Sequence, residues 1–361
     1  MRAVSRFFQV PPDRDRPVAG QQVSASRNRV ANHSNYSYIS FPCMDLLHKK
    51  VRLAIFISMA VPHSQYRQPG EVVINPTTCK HCGLCARICP ADVLELRDSR
   101  IHVRSDSFFG CIACGHCMMV CPEDSIRIQG RGMHPGDLVG LPAKEKLADA
   151  KSLEALMLSR RSVRRFTSQE VPRELLERIV QMAATAPMGI PPWDVGCGII
   201  HGSAEVKAIA DEVVQGYEQL LKILKPWMLS LFRPFIRRNT YEMFKDFILP
   251  LGRSYIEAAH NGKDRLFWGA PAVLIFHHSP YADSSDAMIA CTYAMLAAES
   301  LGLGSTMIGG APPIIQRNKK LSLRLGIPQG NKASIALILG YPATQFRRAI
   351  RRRFSSVHFN A

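Results

Sequence analysis

The chain has 361 residues, of which 47% are hydrophobic, and a formal net charge of +17. This hydrophobic content is enough for two or three domains and excludes disorder of the whole chain. The basic balance favours anionic partners, and it is spread along the chain, since the first 58 residues carry only +6 of it. Eleven cysteines, eight of them between positions 79 and 121, exclude the disulfide framework of a small secreted protein and favour a reducing, cytoplasmic compartment.

The first segment, residues 1–70, is predicted to be a leader outside the folded domains. Its first 58 residues are rich in Arg, Ser and Asn and have no sustained helical or strand period. We favour an upstream extension from a wrongly chosen start codon, with Met44 or Met59 as the true initiator; a genuine disordered tail and a transit peptide are the alternatives. No run reaches 18 apolar residues, so no integral membrane span is predicted.

Two copies of one cysteine motif follow, C-x2-C-x2-C-x3-C-P, at residues 79–90 and 111–122. Structural zinc needs two separated pairs of ligands, so a third cysteine in each copy is surplus to that geometry. Three thiolates on one tight loop instead suit three corners of an iron-sulfur cube, and the fourth cysteine reaches the other cube. The first predicted 4Fe-4S cluster takes Cys79, Cys82, Cys85 and Cys121, and the second takes Cys111, Cys114, Cys117 and Cys89.

Short alternating segments before and after each motif predict small strands. The duplicated pattern resembles a bacterial two-cluster ferredoxin over residues 71–130. A disulfide or zinc site would leave the spacing unexplained, while Cys43, Cys197 and Cys291 lie outside the pattern and are more typical of small buried hydrophobic residues. Ferredoxin-type clusters carry single electrons and offer no open site to a substrate, so the chemistry is expected elsewhere in the chain.

A Gly- and Pro-rich linker is predicted over residues 131–148. Beyond it, helical periodicity covers 147–159 and 173–185, and apolar runs at 197–202, 272–278 and 333–340 predict buried strands. Helices alternating with buried strands indicate a layered domain of helices and sheet over residues 149–361. His277 and His278 end one of these strands without the spacing of metal ligands.

Two basic segments lie at opposite ends of this domain, SRRSVRRF at 159–166 and QFRRAIRRRF at 345–354. Arg guanidinium groups bind phosphate bidentately, so the two segments together could hold an anionic cofactor; a solvated basic helix face is the alternative. The segment GLGSTMIGGAPP at 302–313 is neither a dinucleotide fingerprint nor a P-loop. Nucleic-acid binding is not expected, because the Arg-rich end lacks interleaved aromatic residues.

The first basic segment and those that follow it along the chain resemble the nitroreductase family of FMN flavoproteins, in the same order as in the family. The segments that follow are APMGIPPW, FWGAPAVLIF, AMLAAESLGLGSTMIGG, LGIP, ILGYP and RRRF. The resemblance implies an α+β fold, in which a central mixed sheet is flanked by helices, behind the small two-cluster ferredoxin domain. It also implies a homodimer with FMN at the subunit interface. The stretch 215–262 is longer than the minimal family fold, and we expect it to cover the flavin cleft or the dimer surface rather than a membrane.

The resemblance also implies cofactor-binding residues. The first basic segment matches the family's grip on the FMN phosphate, ribityl chain and pyrimidine edge; the paired glycines match backbone beside the flavin N5; the terminal arginines match closing phosphate contacts. These residues are Arg160, Arg161, Ser162, Arg164, Gly309, Gly310, Arg351 and Arg353. Where many members have Asn and Gln, this chain has Met188, Gly189 and Ile190. No catalytic acid or base is identified.

The expected activity is therefore that of an oxidoreductase. An external low-potential donor, a ferredoxin or similar, supplies single electrons through the clusters, and FMN reduces an organic acceptor by two electrons. The resemblance implies nitroaromatics, quinones or activated double bonds as acceptors, entering near residues 188–193. Two alternatives remain open: NAD(P)H reduces the flavin and the clusters export electrons, or the protein is a non-catalytic carrier for a larger redox complex.

Overall fold

The computed structural model describes residues 68–107, 110–189, 192–224, 227–228, 233 and 236–359. The predicted leader lies almost wholly outside these residues, as do Cys43 and two prolines of the 215–262 stretch, Pro226 and Pro234. None of the helices within the described ranges has the length and hydropathy that crossing a bilayer requires.

The N-terminal part consists of two small antiparallel sheets and two short helices. The first and last strands of this part pair with each other, and the two middle strands form a hairpin. The elements are β1 (Glu71–Ile74), α1 (Leu84–Ile88), β2 (Leu94–Arg97), β3 (Arg100–Val103), α2 (His116–Val120) and β4 (Ile126–Gln129). The strands predicted before and after each cysteine motif are thereby confirmed.

The sequence repeat is also a repeat of backbone conformation. His81 and Ala113 occupy the left-handed region at matching places in the two motifs, with φ of 51° and 54°. Asp92 and Asp124 do the same just after each motif, with φ of 50° and 51°. Because residues other than Gly rarely adopt this conformation, its recurrence at matching positions shows that both motifs fold into the same loop.

The linker carries two short 3-10 turns, Pro135–Asp137 and Lys144–Lys146. His134 begins the first turn: its Nδ1 accepts a hydrogen bond from the Gly136 amide at 3.0 Å, while Asp137 accepts one from the His134 amide at 2.7 Å. Each turn is three residues long.

A four-stranded sheet lies at the centre of the C-terminal part, in the order β5-β6-β8-β7. The strands are β5 (Val195–His201), β6 (Ala272–His278), β7 (Gly304–Ile308) and β8 (Lys332–Gly340). Neighbouring strands are antiparallel, and an isolated parallel bridge joins Ser162 to Ser305 of β7. The three predicted strands are confirmed, whereas β7 lies within the Gly-rich segment that sequence analysis did not assign as a strand.

Helices cover both faces of this sheet. They are α3 (Ala150–Ser159), α4 (Arg173–Ala183), α5 (Ser203–Ile223), α6 (Arg238–Met243), a π-helix (Phe244–Ile248), α7 (Leu249–His260), α8 (Ser284–Ser300), α9 (Pro312–Ile315) and α10 (Lys319–Arg324). Helices α5 and α7 pack together on one face, and α4 and α8 pack together on the other.

Strand β6 separates two hydrophobic cores. All seven of its residues are buried, and alternate side chains point to opposite faces, as the period of a strand requires. Val273 and Ile275 belong to the core under α5, while Leu274 and Phe276 belong to the core under α8. Helix α8 meets the sheet mainly through alanines, and a reciprocal Asp283–Asp286 capping box starts it.

Candidate functional site

The eight motif cysteines surround two separate cavities in the N-terminal part. Four of them line the first cavity, together with Lys80, His81 and Ile101. The other four line the second cavity, together with Val72, Ile112 and Ile128. The first set is Cys79, Cys82, Cys85 and Cys121, and the second is Cys89, Cys111, Cys114 and Cys117. The structure therefore groups the cysteines as the predicted cluster assignment does, with Cys89 and Cys121 exchanged between motifs.

Each cavity offers four thiols, which is the number of protein ligands that a 4Fe-4S cluster takes. Around zinc, four sulfurs lie about 2.3 Å from one metal and hence close together. Among the described residues, no three His, Cys, Asp or Glu side chains converge tightly enough to hold one metal ion. The described cysteines are also free of disulfide bonds. A cavity lined by four free cysteines is the arrangement that an iron-sulfur cluster requires.

The exchanged cysteines each receive a hydrogen bond from the backbone. The Val93 amide donates to Cys89 Sγ at 3.4 Å, and the Ser125 amide donates to Cys121 Sγ at 3.3 Å. Both cysteines cap the C-terminal end of the short helix in their own motif. Hydrogen bonds to ligating sulfur stabilise the anionic thiolate and raise a cluster's reduction potential.

Burial keeps several of these thiols protonated in the free chain. It raises the pKa of Cys117 to about 12, and it also raises the pKa of Cys85 and Cys111. Iron binding must therefore release protons here. The guanidinium of Arg131 opposes the shift at Cys111, and its Nη2 atom is buried with no hydrogen-bond partner among the described residues. A buried, unpartnered cationic donor beside the second cavity suits an anionic cluster.

A different pocket lies at the end of β7, in the C-terminal part. Arg164, Gly309 and Gly310 line it, and these are three of the eight predicted cofactor-binding residues. The opposite wall comes from the π-helix and α7, through Phe247 and Leu251. The described portion of the 215–262 stretch thus contributes helical residues to this pocket, while its role as a cover stays a prediction.

Backbone pairing explains why Arg164 reaches the glycines. The Val163 amide donates to the Ser305 carbonyl at 3.0 Å, and Thr306 Oγ1 donates to the Val163 carbonyl at 2.6 Å. These bonds hold the first basic segment along β7. Arg164 then extends over the Trp268 ring, with its Cζ atom 5.9 Å from the ring centroid.

Two tyrosines that sequence analysis did not identify support Gly310. The Tyr217 hydroxyl of α5 donates to the Gly310 carbonyl at 2.7 Å, and burial raises the pKa of Tyr217 to about 12. Tyr255 of α7 packs so closely that a Cβ at Gly310 would lie 2.6 Å from its hydroxyl oxygen. Only glycine fits there, whereas Gly309 faces open space and leaves its backbone accessible to a flat ligand. No sequence signal distinguished these tyrosines from other helical aromatics.

The remaining predicted cofactor residues lie outside this pocket. Arg161 lines a separate groove with Arg347 and Arg348 of the C-terminal tail. Arg160 and Ser162 are neighbours of Arg161 in the same segment, and neither lines the Arg164 pocket. Arg351 and Arg353 lie exposed on the tail, also outside the pocket. Within one chain, the structure therefore brings the two basic segments together in the Arg161 groove, but it does not bring Arg351 or Arg353 to the Arg164 pocket.

The segment expected near the substrate is fixed to the other edge of the sheet. The Gly189 amide donates to Asp286 Oδ1 of α8 at 2.8 Å, and positions 190–191 lie outside the described residues. Trp193 follows and is half exposed. The histidines of β6 have protein partners: His278 Nδ1 lies 2.7 Å from Ser334 Oγ, and His277 Nδ1 lies 3.1 Å from Asn331 Nδ2.

Two family models match the chain. The model of the nitroreductase family matches residues 157–341, and the model of the 4Fe-4S dicluster domain matches residues 71–127. The second match corresponds to the part that contains both cysteine cavities.

Similar proteins match part of the chain. Iodotyrosine deiodinase 1 of Pongo abelii is 24% identical over 213 residues, which is 56% of this chain and 66% of the relative. Nitroreductase NfnB of Mycolicibacterium smegmatis is 25% identical over 139 residues, or 37% of this chain and 58% of the relative. The match thus spans just under two thirds of the deiodinase's length.

Among solved structures, a nitroreductase with bound FMN from Bacteroides fragilis superposes with a TM-score of 0.44 and 18% identity, over 58% of this chain and 98% of the other. A nitroreductase with bound FMN from Desulfitobacterium hafniense gives a TM-score of 0.43 and 22% identity, over 57% of this chain and 97% of the other.

Proposed function

The chain belongs to the nitroreductase family, and from that premise we propose an FMN-dependent oxidoreductase that receives single electrons through two 4Fe-4S clusters and reduces an organic acceptor. One observation carries the proposal. The same chain surrounds two cavities with four thiols each and brings Arg164, Gly309 and Gly310 to one pocket.

Bound FMN would take up electrons singly and deliver them as a pair, which is the conversion that one-electron clusters need before a two-electron reduction. Arg164 would supply positive charge to the anionic cofactor, since its guanidinium lines the pocket. The open side of Gly309 would let the backbone approach the flat ring. Tyr217 holds the neighbouring carbonyl in place through its 2.7 Å hydrogen bond.

The cysteines would hold the clusters in the two cavities. Cys79, Cys82, Cys85 and Cys121 would ligate the first, and the remaining four motif cysteines would ligate the second. The backbone amides of Val93 and Ser125 would stabilise the exchanged thiolates in both. An external low-potential donor of the ferredoxin type would supply the electrons.

A homodimer with FMN at the subunit interface forms part of the proposal. Arg351 and Arg353 lie on an exposed tail and do not reach the Arg164 pocket of their own chain. A second copy would offer a way to complete the phosphate grip, because each tail would be free to reach the neighbouring pocket.

The acceptor is proposed to be a nitroaromatic, a quinone or an activated double bond. The described wall of the pocket includes Phe247, Leu251 and Trp268, which together suit a planar apolar molecule. Because one similar protein is an iodotyrosine deiodinase, an iodotyrosine is a further compound to test as acceptor. No side chain is assigned as proton donor, so the proton is proposed to come from water.

The direction of electron flow is tested by stopped-flow reduction of anaerobically purified holoprotein. Reduced ferredoxin should bleach the flavin absorbance, and NADH alone should do so slowly. Rapid bleaching by NADH without ferredoxin would overturn the proposed direction. Iron, sulfide and FMN are counted per chain in the same preparation.

The flavin pocket is tested by Arg164→Ala. Losing a charge-assisted contact of about 1.5–3 kcal/mol should weaken FMN binding by about ten- to a hundredfold. Arg165→Ala is the matched control, because Arg165 is the exposed neighbour and does not line the pocket. Fluorescence titration of the apoprotein with FMN gives both dissociation constants. Equal constants for the two variants would show that the pocket is misassigned.

A further inference from the structure

A tight turn follows the last strand of the cysteine-rich part, at residues 130–133. The Gly130 amide donates to the Met133 carbonyl at 3.0 Å, and the Met133 amide donates to the Gly130 carbonyl at 2.9 Å. Arg131 and Gly132 between them are both left-handed, with φ of 51° and 83°. The reciprocal bonds fix the shape of this turn, which we call the docking turn.

One side of the docking turn contacts the second cysteine motif. A Cβ at Gly115, between Cys114 and α2, would lie 3.1 Å from the Met133 Cε atom. Arg131 Nε donates to the Gln68 carbonyl at 2.9 Å, close to where the Gly70 amide donates to the Cys111 carbonyl at 2.8 Å. No residue of the docking turn lines either cysteine cavity, but Gly115, which Met133 contacts, lines the second one and not the first. The turn is therefore attached to the second cavity.

The other side of the docking turn contacts the C-terminal part, which contains the proposed flavin pocket. A Cβ at Gly132 would lie 2.6 Å from Cδ1, 2.9 Å from Cγ and 3.3 Å from Cβ of Trp193. The Gly132 backbone thus lies directly against the indole, and its positive φ excludes larger residues as well. Trp193 belongs to the 3-10 turn Pro192–Asp194 that begins β5, and the Ser279 amide anchors this turn by donating to the Asp194 carbonyl at 2.8 Å.

We propose that the contact between Gly132 and Trp193 holds the N-terminal part against the C-terminal part, with the second cysteine motif on the contacting side. Electrons would then enter at the first cavity and leave from the second. The inference rests on the proposed function and adds the order of the two sites. Trp193 and Gly132 act as positioning residues, because their contact sets where the second cavity lies relative to the C-terminal part.

The electrons balance in single steps. A reduced ferredoxin-type donor loses one electron to the first site, the first site loses it to the second, and the second site loses it to the flavin. Two passages supply the pair that reduces one acceptor molecule. Arg131 lies beside the second cavity, where positive charge favours the reduced state and hence transfer from the first site to the second.

The docking contact is tested with Gly132→Val in the full-length holoprotein, against Gly140→Val. Gly140 lies in the same linker with nothing within 4 Å of its Cβ position. After mixing with reduced ferredoxin, Gly132→Val should slow flavin reduction by tenfold or more, a change of ~1.4 kcal/mol in the barrier, while Gly140→Val leaves the rate unchanged. Equal rates in the two variants would overturn the inference.

Trp193 is tested separately, since a valine at Gly132 would also strain the turn at its positive φ. Trp193→Ala should slow flavin reduction and Trp193→Phe should largely restore it. Hydrogen exchange of the amides at 130–133 and 192–195 should be faster in Trp193→Ala than in wild type, with iron and FMN content unchanged. Unchanged exchange in both segments would show that the two halves are not held by this contact.

The order of the two sites is tested with Cys82→Ser and Cys114→Ser, one from each motif. After mixing with reduced ferredoxin, Cys114→Ser should accumulate a reduced first cluster by EPR while the flavin stays oxidised. Cys82→Ser should leave its second cluster oxidised, because the inlet is lost. The reverse pattern would overturn the order alone. Wild-type protein whose flavin is not reduced by ferredoxin would overturn the proposed function, and this inference with it.

Discussion

At the scale of single residues, Tyr217 and Tyr255 hold the Gly310 backbone from two sides. Their rings meet edge to face, with centroids 5.4 Å apart. Tyr217 makes a hydrogen bond to Gly310, while Tyr255 contacts it by packing. The two hydroxyls therefore have different roles, although both tyrosines are buried.

Tyr217→Phe should lower the free energy of unfolding by about 1–3 kcal/mol, because it leaves the buried Gly310 carbonyl without its donor. FMN affinity should fall with it, since the backbone beside the proposed flavin site is no longer held. Urea unfolding and FMN titration measure the two effects. Tyr255→Phe is the control and should change both far less; equal losses would show that packing, not the hydrogen bond, positions Gly310.

The two histidines at the end of β6 should make the free energy of unfolding depend on pH. Burial lowers the pKa of His277 and His278 below the ordinary value of 6.5. The unfolded chain therefore takes up protons below pH 6.5 that the folded chain resists, so the free energy of unfolding should fall as pH drops through this range. Lys332 also lowers the pKa of His278, while Asp283 and Asp286 oppose the shift.

Urea unfolding at pH 7.5 and at pH 5.5 measures this effect. Replacing both histidines, as His277→Asn with His278→Gln, should flatten the slope of stability against pH. A double variant with the wild-type slope would place the titrating groups elsewhere.

At the scale of elements, β5 and β6 show how a strand's position decides the cost of a substitution. Ile199 lies directly opposite Leu274 in the register, yet Ile199 is 43% exposed on the edge strand and Leu274 is fully buried. Leu274→Ala should cost about 2–5 kcal/mol of stability, and Ile199→Ala clearly less. Urea unfolding of both variants measures the difference; equal losses would contradict the assignment of β6 to the core.

Sequence patterns predicted β6 well, because the strand starts with an uninterrupted run of apolar residues, Ala272–Phe276. They missed β7, since Gly304 and the glycines around it are typical of turns. Gly304 is required there by contact: a Cβ would lie 2.6 Å from Val163 Cγ2 of the first basic segment. That contact joins residues far apart in sequence, and no local pattern reports it.

The candidate sites also include features that the sequence predicts and features that it does not. The cysteine grouping was predictable, because the motif spacing itself sets which thiols share a loop. The role of Tyr217 and the contact of Gly132 with Trp193 were not, because each depends on how separate elements pack. The nitroreductase resemblance, the α+β fold class and the ferredoxin part are confirmed by the family matches, whereas the domain boundaries and the individual cofactor residues stay predictions.

At the scale of the whole molecule, the two halves should lose function separately. Cys85→Ala removes one predicted ligand of the first cluster, so iron should fall from about eight to about four atoms per chain. FMN content should stay unchanged, because Cys85 lies outside the flavin pocket. Iron and flavin assays on anaerobic protein measure both. The buried Cys291, outside either cavity, offers the control Cys291→Ala, which should retain full iron.

The matching left-handed residues give the molecule an internal symmetry that the electron path does not share. His81 with Ala113, and Asp92 with Asp124, make the two cysteine loops interchangeable in backbone shape. Ligand geometry alone therefore assigns neither loop as inlet or outlet. Two asymmetric features, the packing of Gly132 against the Trp193 indole and the charge of Arg131 beside the second cavity, would set the direction of electron transfer. Moving such a contact to the first loop would reverse the direction of electron transfer without changing any cysteine ligand.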